Sequence, residues 1–265
     1  MLILLPPSEG KAATGAGDPV DLAALSLPGL TLARERVLES LVSLCAGDDP
    51  EPARSVLGLS PGQVGEVHRN AGLRTAAAAP AGEVYTGVLY DALDLASLGP
   101  DGYDLVVRSV LVFSGLWGAV RLDDRITPYR CAVGVKLPGL GALGGHWKGV
   151  MGPVLADAAG DGPVLDLRSG AYAAMWTPRG ELAARTAAVR VVHERVVDGA
   201  VKRSVVSHFN KATKGRLVRD LATTGAAPDT VDDLVTALRE LAYTVEERPA
   251  AAGAPRQLDV VVTEL

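Results

Sequence analysis

Apolar and polar positions alternate along this chain in segments whose periods differ. Residues 2–5, "LILL", are continuously apolar and stop at Pro6-Pro7, which predicts a short buried strand ending where proline removes backbone donors. The next residues, "SEGKAATGAGD", read as a loop. Past Pro28 the spacing becomes helical, with Leu32, Val37, Leu41 and Leu44 able to share one face. Over 57–76, Ser60 is placed to cap a helix, Pro61 to occupy its first position and Gly72 to close it. A buried helix containing two tyrosines is expected over 82–93. Residues 104–122 read as a strand, a Ser-Gly turn and a short apolar segment, and 127–137 alternates like a strand. From His146 a helix interrupted by Pro153 is predicted.

In the final third, 163–169 is a strand candidate, and 189–197 with 201–209 form a hairpin over Asp198-Gly199. A helix over 211–222, capped by Asn210, precedes two strands, "LAYTVEER" and "QLDVVVTE", on either side of a loop at 249–255. There is no repeat at a fixed period and no linker that divides the chain. The expectation is α+β: a single compact domain over 1–265, with a central mixed β-sheet flanked by helices.

Composition narrows the functional classes. A chain of 265 residues with 48% hydrophobic and 22% charged residues buries a full core and does not read as disordered. Its net charge of −5 repels a polyanion at long range, so nucleic-acid binding has to rest on a local basic surface. Cys45 and Cys131 form no Cys-x-x-Cys pair, which fits a reducing cytoplasm. The first apolar run is too short for a secretory signal. The longest charge-free apolar stretch, 109–120, falls short of the roughly 20 residues that cross a bilayer. A soluble cytoplasmic protein without a membrane partner is therefore expected.

Several motifs invite chemistry. "GLGALG" at 139–144 matches G-x-G-x-x-G, but Pro138 precedes it and no tight strand-to-helix turn is predicted, so it reads as a loop. His68, His146, His193 and His208 lack companions at metal-ligand spacing, and no metal or cofactor is expected. Ser114 is not in a Gly-x-Ser-x-Gly context; it reads as a turn that can present N–H groups to an anion. Lys11 lies in the loop after the first strand, where strand ends commonly carry sites. From Lys202 to Arg219 there are six basic residues and no acid. Two readings stay open for Lys211 and Lys214: a solvated basic face, or a pair that meets one anion near a helix start.

Taken in order, "MLILLPPSEGK", "GEVYTGV", "SGLWGAVRLDDRITPYR", "LDLRSGAY" and "SHFNKATKGRL" resemble the successive motifs of the YaaA family, known as peroxide stress resistance proteins. The resemblance runs along nearly the whole chain. It implies one α+β fold with a helix-hairpin-helix-like element, assigned to about 57–76, and a positively charged cleft that binds DNA and limits peroxide- and iron-driven DNA damage. The matching positions are Lys11, Glu83, Tyr85, Thr86, Ser114, Gly115, Arg121, Asp124, Tyr129, Arg130, Trp147, Ser169, Tyr172, Lys211, Lys214 and Gly215. Two departures stand out: the opening loop reads Pro-Ser-Glu-Gly-Lys, and the hairpin segment carries few basic residues.

The phosphate-binding candidates are thus Lys11, Ser114, Gly115, Arg121, Tyr129, Arg130, Ser169, Lys211, Lys214, Gly215 and Arg216. The partner is duplex or structured DNA, with a nucleotide-like small molecule as a further candidate ligand. In the alternative, an enzyme acts on a nucleobase, nucleotide or damaged DNA through Lys11, Glu83, Tyr85 or Lys211. With aromatics at 4% of the chain, Trp117 and Trp147 are expected in the core or cleft wall rather than as stacking platforms.

Overall fold

The computed structural model describes residues 1–197, 200–205 and 207–263. Its main sheet has eight strands: β1 (Leu2–Leu5), β2 (Val110–Ser114), β3 (Gly118–Val120), β4 (Val164–Asp166), β5 (Thr186–Val197), β6 (Ala200–Ser204), β7 (Thr244–Arg248) and β8 (Arg256–Val262). They lie in the order β7-β8-β5-β4-β1-β2-β3, and β6 pairs with β5. The five middle strands are parallel, with Ile3 beside Val110 on one side of β1 and Leu165 on the other. The remaining three, β3, β6 and β7, are antiparallel additions. This is the expected mixed sheet flanked by helices.

Parallel strands need long crossovers, which cover both sheet faces. That explains why β1 and β2 are apolar throughout and buried at every position. The crossovers use α1 (Thr31–Cys45), α2 (Glu51–Leu57), α3 (Val64–Ala71), α4 (Val88–Leu93), α5 (Pro100–Ser109), α6 (Leu143–Ala158), α7 (Ser207–Thr223) and α8 (Val231–Glu240). Chain leaving β1 returns on one side as β2 and later on the other as β4. The strand order therefore reverses at β1, and a crevice opens beyond the carboxyl ends there.

Local sequence accounts for most boundaries. At the expected Ser60 cap, Ser60 and Gln63 form a capping box, and Gly72 ends α3. The segment read as helix-hairpin-helix-like thus holds the end of α2, a connection through Gly58 at φ 65, and α3. Several expectations are corrected. Residues 104–109 belong to α5, where Gly99-Pro100-Asp101 starts a helix and Arg108 complements its last turn. Residues 127–135 join no ladder, although burial alternates over 129–135. Instead the Asn70 side chain accepts from Arg130 N at 2.9 Å and donates to Arg130 O at 2.8 Å, doing what a neighbouring strand would do. Leu32 is 82% exposed; Val37, Leu38 and Leu41 carry the buried face of α1. Helix α6 begins directly after 139–142, but Gly141–Ala142 pairs antiparallel with Lys136–Leu137, so no dinucleotide turn forms.

The hairpin of β5 and β6 forms in register, Ala200 opposite Val197, and its expected turn at Asp198-Gly199 lies outside the described residues. Its second strand ends at Ser204, because α7 begins at Ser207; Asn210 lies inside that helix rather than capping it. Helix α8, opened by a Thr230–Asp233 capping box, was not among the elements expected from the sequence. No helix among the described residues is long and apolar enough to cross a membrane.

Helices α4 and α7 cross closely because Gly215 has no side chain. A Cβ there would sit 2.1 Å from Leu89 O and 2.9 Å from the Ala92 Cβ. Gly215→Ala should destabilise the protein by about 1–3 kcal/mol, since overpacking at backbone cannot be relieved by a rotamer change. Urea denaturation checks this; an unchanged midpoint would show that the helices separate freely.

Candidate functional site

The site begins at the carboxyl end of β4, where "LDLRS" places a carboxylate and a guanidinium in the interior. Asp166 accepts from Arg168 N and Nε at 3.0 and 2.9 Å through Oδ1, and from Nη2 at 2.6 Å through Oδ2. Arg168 also donates to Tyr172 O at 3.2 Å and Trp176 O at 2.9 Å, and its guanidinium lies 4.3 Å from the Phe113 ring centroid. A buried ion pair holds when its remaining donors and lone pairs are also satisfied, and this one is. The chain from 167 to 176 is thereby fixed against the sheet.

Lys214, in α7, reaches the same corner. It is 7% exposed, and Nζ donates to Leu167 O at 2.7 Å. Burial pulls its ammonium from 10.5 down to about 8, against the opposing pull of Asp166. The expectation that Lys214 stands at an accessible helix start is therefore corrected: its stem is in the core and only its head meets the cleft. Lys211, one turn earlier, is exposed.

These groups share a cleft of about 480 Å³. Pro6, Pro7 and Glu9 line it from the end of β1, Ser169, Gly170 and Tyr172 from the end of β4, Val189 and Arg190 from β5, and Asn210, Lys211 and Lys214 from α7. Arg190 is held by Asp259 at 2.6 Å, and Glu9 by Arg130 at 3.1 Å. Among the described lining residues, Lys211 alone is a cation without an ion pair or a carbonyl bond.

A second cluster adjoins the first through Glu9. The loop after β1 forms a bridge at Lys11 and Tyr85, extended by Ala12 N donating to Val84 O at 2.9 Å. Lys11 Nζ donates to Ser8 O at 2.8 Å and lies 4.2 Å from the centroid of Tyr129 and 5.5 Å from that of Tyr85. Burial takes this ammonium down to about 8, partly offset by Glu9; the two ring faces compensate some of the lost hydration. Below them Tyr85 and Tyr129 share a hydrogen bond at 3.0 Å and Tyr129 meets Ser114 Oγ at 2.6 Å, while Trp117 N donates to the same Oγ at 2.8 Å. Burial pushes Tyr85 up to about 12. Ser114 is fully buried, which makes it an anchor of the turn rather than a nucleophile.

The predicted positions thus divide. Ser169, Lys211 and Lys214 are gathered in the cleft, with Lys11, Tyr85, Ser114, Tyr129 and Arg130 in the adjoining cluster. Gly115 and Gly215 serve close packing: a Cβ at Gly115 would lie 2.3 Å from Cys131 O. Arg121 lies at the opposite end of the sheet, bonded to Arg108 O. Glu83 is exposed in a separate hollow with Thr86 and Asp91. Arg216 is outside the cleft lining.

The run 202–219 does not act as one wall. Arg203 is paired with Glu194 and Glu246, and Arg219 donates to Leu93 O and Asp94 O at the end of α4. In the hairpin segment, Arg69 and Arg74 are paired with Glu66 and Glu35, and just before it Arg54 is paired with Glu51. Trp117 and Trp147 are fully buried. Sequence reasoning missed Asp166, Arg168, Glu9 and Arg190; the signal for the first two was a carboxylate and a guanidinium two positions apart inside an apolar run. Among the described residues no three His, Cys, Asp or Glu side chains are grouped as metal ligands. Burial raises both thiols, Cys45 to about 11 and Cys131 to about 12, which leaves them unreactive as nucleophiles.

Comparison with known proteins places these motifs in context. The family model described as "Peroxide stress protein YaaA" matches residues 1–248. A UPF0246 protein of Streptomyces coelicolor is 65% identical over 266 residues, covering 100% of each chain. A UPF0246 protein of Corynebacterium efficiens is 40% identical over 248 residues, 93% of this chain and 95% of that one.

Two outcomes test the corner. Asp166→Ala leaves the Arg168 guanidinium buried without its carboxylate, and should cost about 3–5 kcal/mol in urea denaturation; a loss below 1 kcal/mol would mean that water already reaches the pair. Folded Lys214 sheds its proton near 8 whereas an unfolded lysine keeps it to about 10.5. Between those values the unfolded chain binds more protons, so this group makes stability rise with pH. The wild-type Tm should therefore climb relative to that of Lys214→Met from about pH 8 to about 9.5. A Tm difference that ignores pH would contradict the burial of the ammonium.

Proposed function

The chain belongs to the family of peroxide stress protein YaaA, and on that premise we propose that it acts in the stress response by holding nucleic-acid phosphate at the cleft beyond β1 and β4. The observation that carries this reading is the convergence of Lys211 and Lys214 with Ser169 and Asn210 on one concave surface of an acidic protein. Lys211 supplies an uncommitted ammonium, and Lys214 supplies one whose position is fixed by Leu167 O. Attraction is local, since arginines elsewhere such as Arg54, Arg69, Arg74 and Arg203 are neutralised by neighbouring acids. DNA is the partner that the family resemblance suggests, limiting peroxide- and iron-driven damage its role.

A second reading draws on Lys11 and Lys214, both held near 8 by burial. An amine with that proton affinity is partly neutral at physiological pH and can attack a carbonyl carbon. An enzyme acting on a nucleobase, nucleotide or damaged DNA would use it so. Borohydride trapping on abasic-site DNA separates this reading from simple binding.

The number of available cations sets the expected salt dependence. With about two phosphates neutralised, log affinity for duplex DNA should fall against log salt with a slope near −2, and Lys211→Ala should reduce that slope by about 1. Arg216→Ala, outside the cleft, should leave it unchanged. Fluorescence anisotropy over a salt series measures both; an affinity indifferent to Lys211→Ala would show that the cleft does not hold phosphate.

A further inference from the structure

The cleft is a half-open concavity whose lining includes the foot of the β5–β6 hairpin. β5 continues past its last partner in β4, where Ala188 faces Asp166, and runs on to Val197. β6 returns beside it on the side of β4, since His193 pairs with Val262 on one side and Ser204 on the other. The hairpin therefore overhangs the carboxyl ends of the parallel strands, and Val205 at its foot lines the cleft opposite Pro6 and Pro7. A space of about 480 Å³ lies in the range of sites for one small molecule. It does not take in a whole duplex, whose major groove alone is about 12 Å wide and which meets the cleft only through a backbone phosphate at its rim.

The lining has two characters. Val189 and Val205 offer apolar surface, while Lys211 and Lys214 bring positive charge from α7. Ser169 and Asn210 make no side-chain hydrogen bond to another described residue, so a hydroxyl and a carboxamide remain for a ligand. A carboxamide offers two donors and an acceptor, which complements the edge of a nucleobase. Phosphate, apolar body and a donor–acceptor edge are the three parts of a nucleotide.

We infer that the cleft takes one unpaired nucleotide, its phosphate between Lys211 and Lys214, its base against Val189 and Val205 with Asn210 and Ser169 on its polar edge. This rests on the phosphate reading above and narrows it to a nucleoside phosphate, supplied either as a free mononucleotide or as a nucleotide unstacked from a strand. Extrusion from a paired duplex costs a few kcal/mol, less where the nucleotide is already unpaired. A strand source therefore favours bulged or gapped DNA over a perfect duplex.

The test uses the full chain and eight probes: the four deoxynucleoside 5′-monophosphates tried in turn, inorganic phosphate, a deoxynucleoside without phosphate, a perfect duplex, and the same duplex with one unpaired nucleotide. At least one monophosphate should bind about tenfold tighter than either phosphate or the nucleoside alone. Gly170→Trp should abolish that binding; Gly170 lines the cleft and a Cβ there meets nothing within 4 Å, so a side chain can start there. Thermal melting checks that the variant is folded. If the bulged duplex outcompetes the perfect one and a monophosphate displaces it, the source is a strand; if only monophosphates bind, the source is the free nucleotide. Phosphate competing as well as every monophosphate would overturn the inference. So would equal binding of both duplexes that no monophosphate displaces: with Lys211→Ala still weakening it, the phosphate reading survives alone. If Lys211→Ala has no effect and no probe binds, both readings fall.

Discussion

A carboxylate placed at the buried end of a strand is tolerated only if its lone pairs are answered, and Asp166 meets that constraint through one residue. The Arg168 side chain and backbone N–H fill both oxygens, and its remaining donors bind carbonyls at Tyr172 and Trp176. The consequence is positional. The chain after β4 turns back across Phe113 and Trp176 at a fixed height, which leaves Leu167 O where Lys214 needs it. Without that carbonyl, a lysine head drawn so far from water would keep only the longer bond to Arg168 O at 3.5 Å. Cleft wall and helix α7 are thus set by the same ion pair.

The two lysines whose protons are loosened by burial are held by different means. Lys214 relies on backbone carbonyls presented by a fixed turn. Lys11 has one carbonyl and two aromatic faces, and those faces are themselves held by the hydroxyl chain through Tyr129 to Ser114. Tyr90 extends this support, stacking on Tyr85 at 5.4 Å and donating to Pro6 O at 2.8 Å. The prolines after β1 therefore do more than end a strand: they offer the carbonyl and wall that link the aromatic cluster to the cleft.

The legible parts of the fold were those where one local pattern sufficed. Leu2–Leu5 against Pro6-Pro7, the Ser60–Gln63 cap and the strands flanking 249–255 each carry their own signal, and each formed near its expected bounds. Misreadings arose where tertiary context won. The β-branched residues at 104–109 sit in a helix because a Gly-Pro-Asp start outweighs them. Residues 129–135 alternate because they lie between core and solvent, with Asn70 in place of a partner strand. The basic run 202–219 looked like a single field in one dimension, yet a hairpin and a helix point its charges in different directions. Glu9 and Arg190 could not be read beforehand, since their role depends on which loops meet.

The central position of β1 also has a bearing on synthesis. Leu2–Leu5 is paired on both sides, but its partners Val110–Val112 and Val164–Asp166 come more than a hundred residues later. At about 5–20 residues per second, some ten to thirty seconds separate the emergence of this apolar strand from that of its second neighbour. Until β2 emerges, four aliphatic side chains and both backbone edges have no native place to go, and one edge stays open until β4 arrives. The ribosome and whatever shields nascent chains there must carry this strand over that interval.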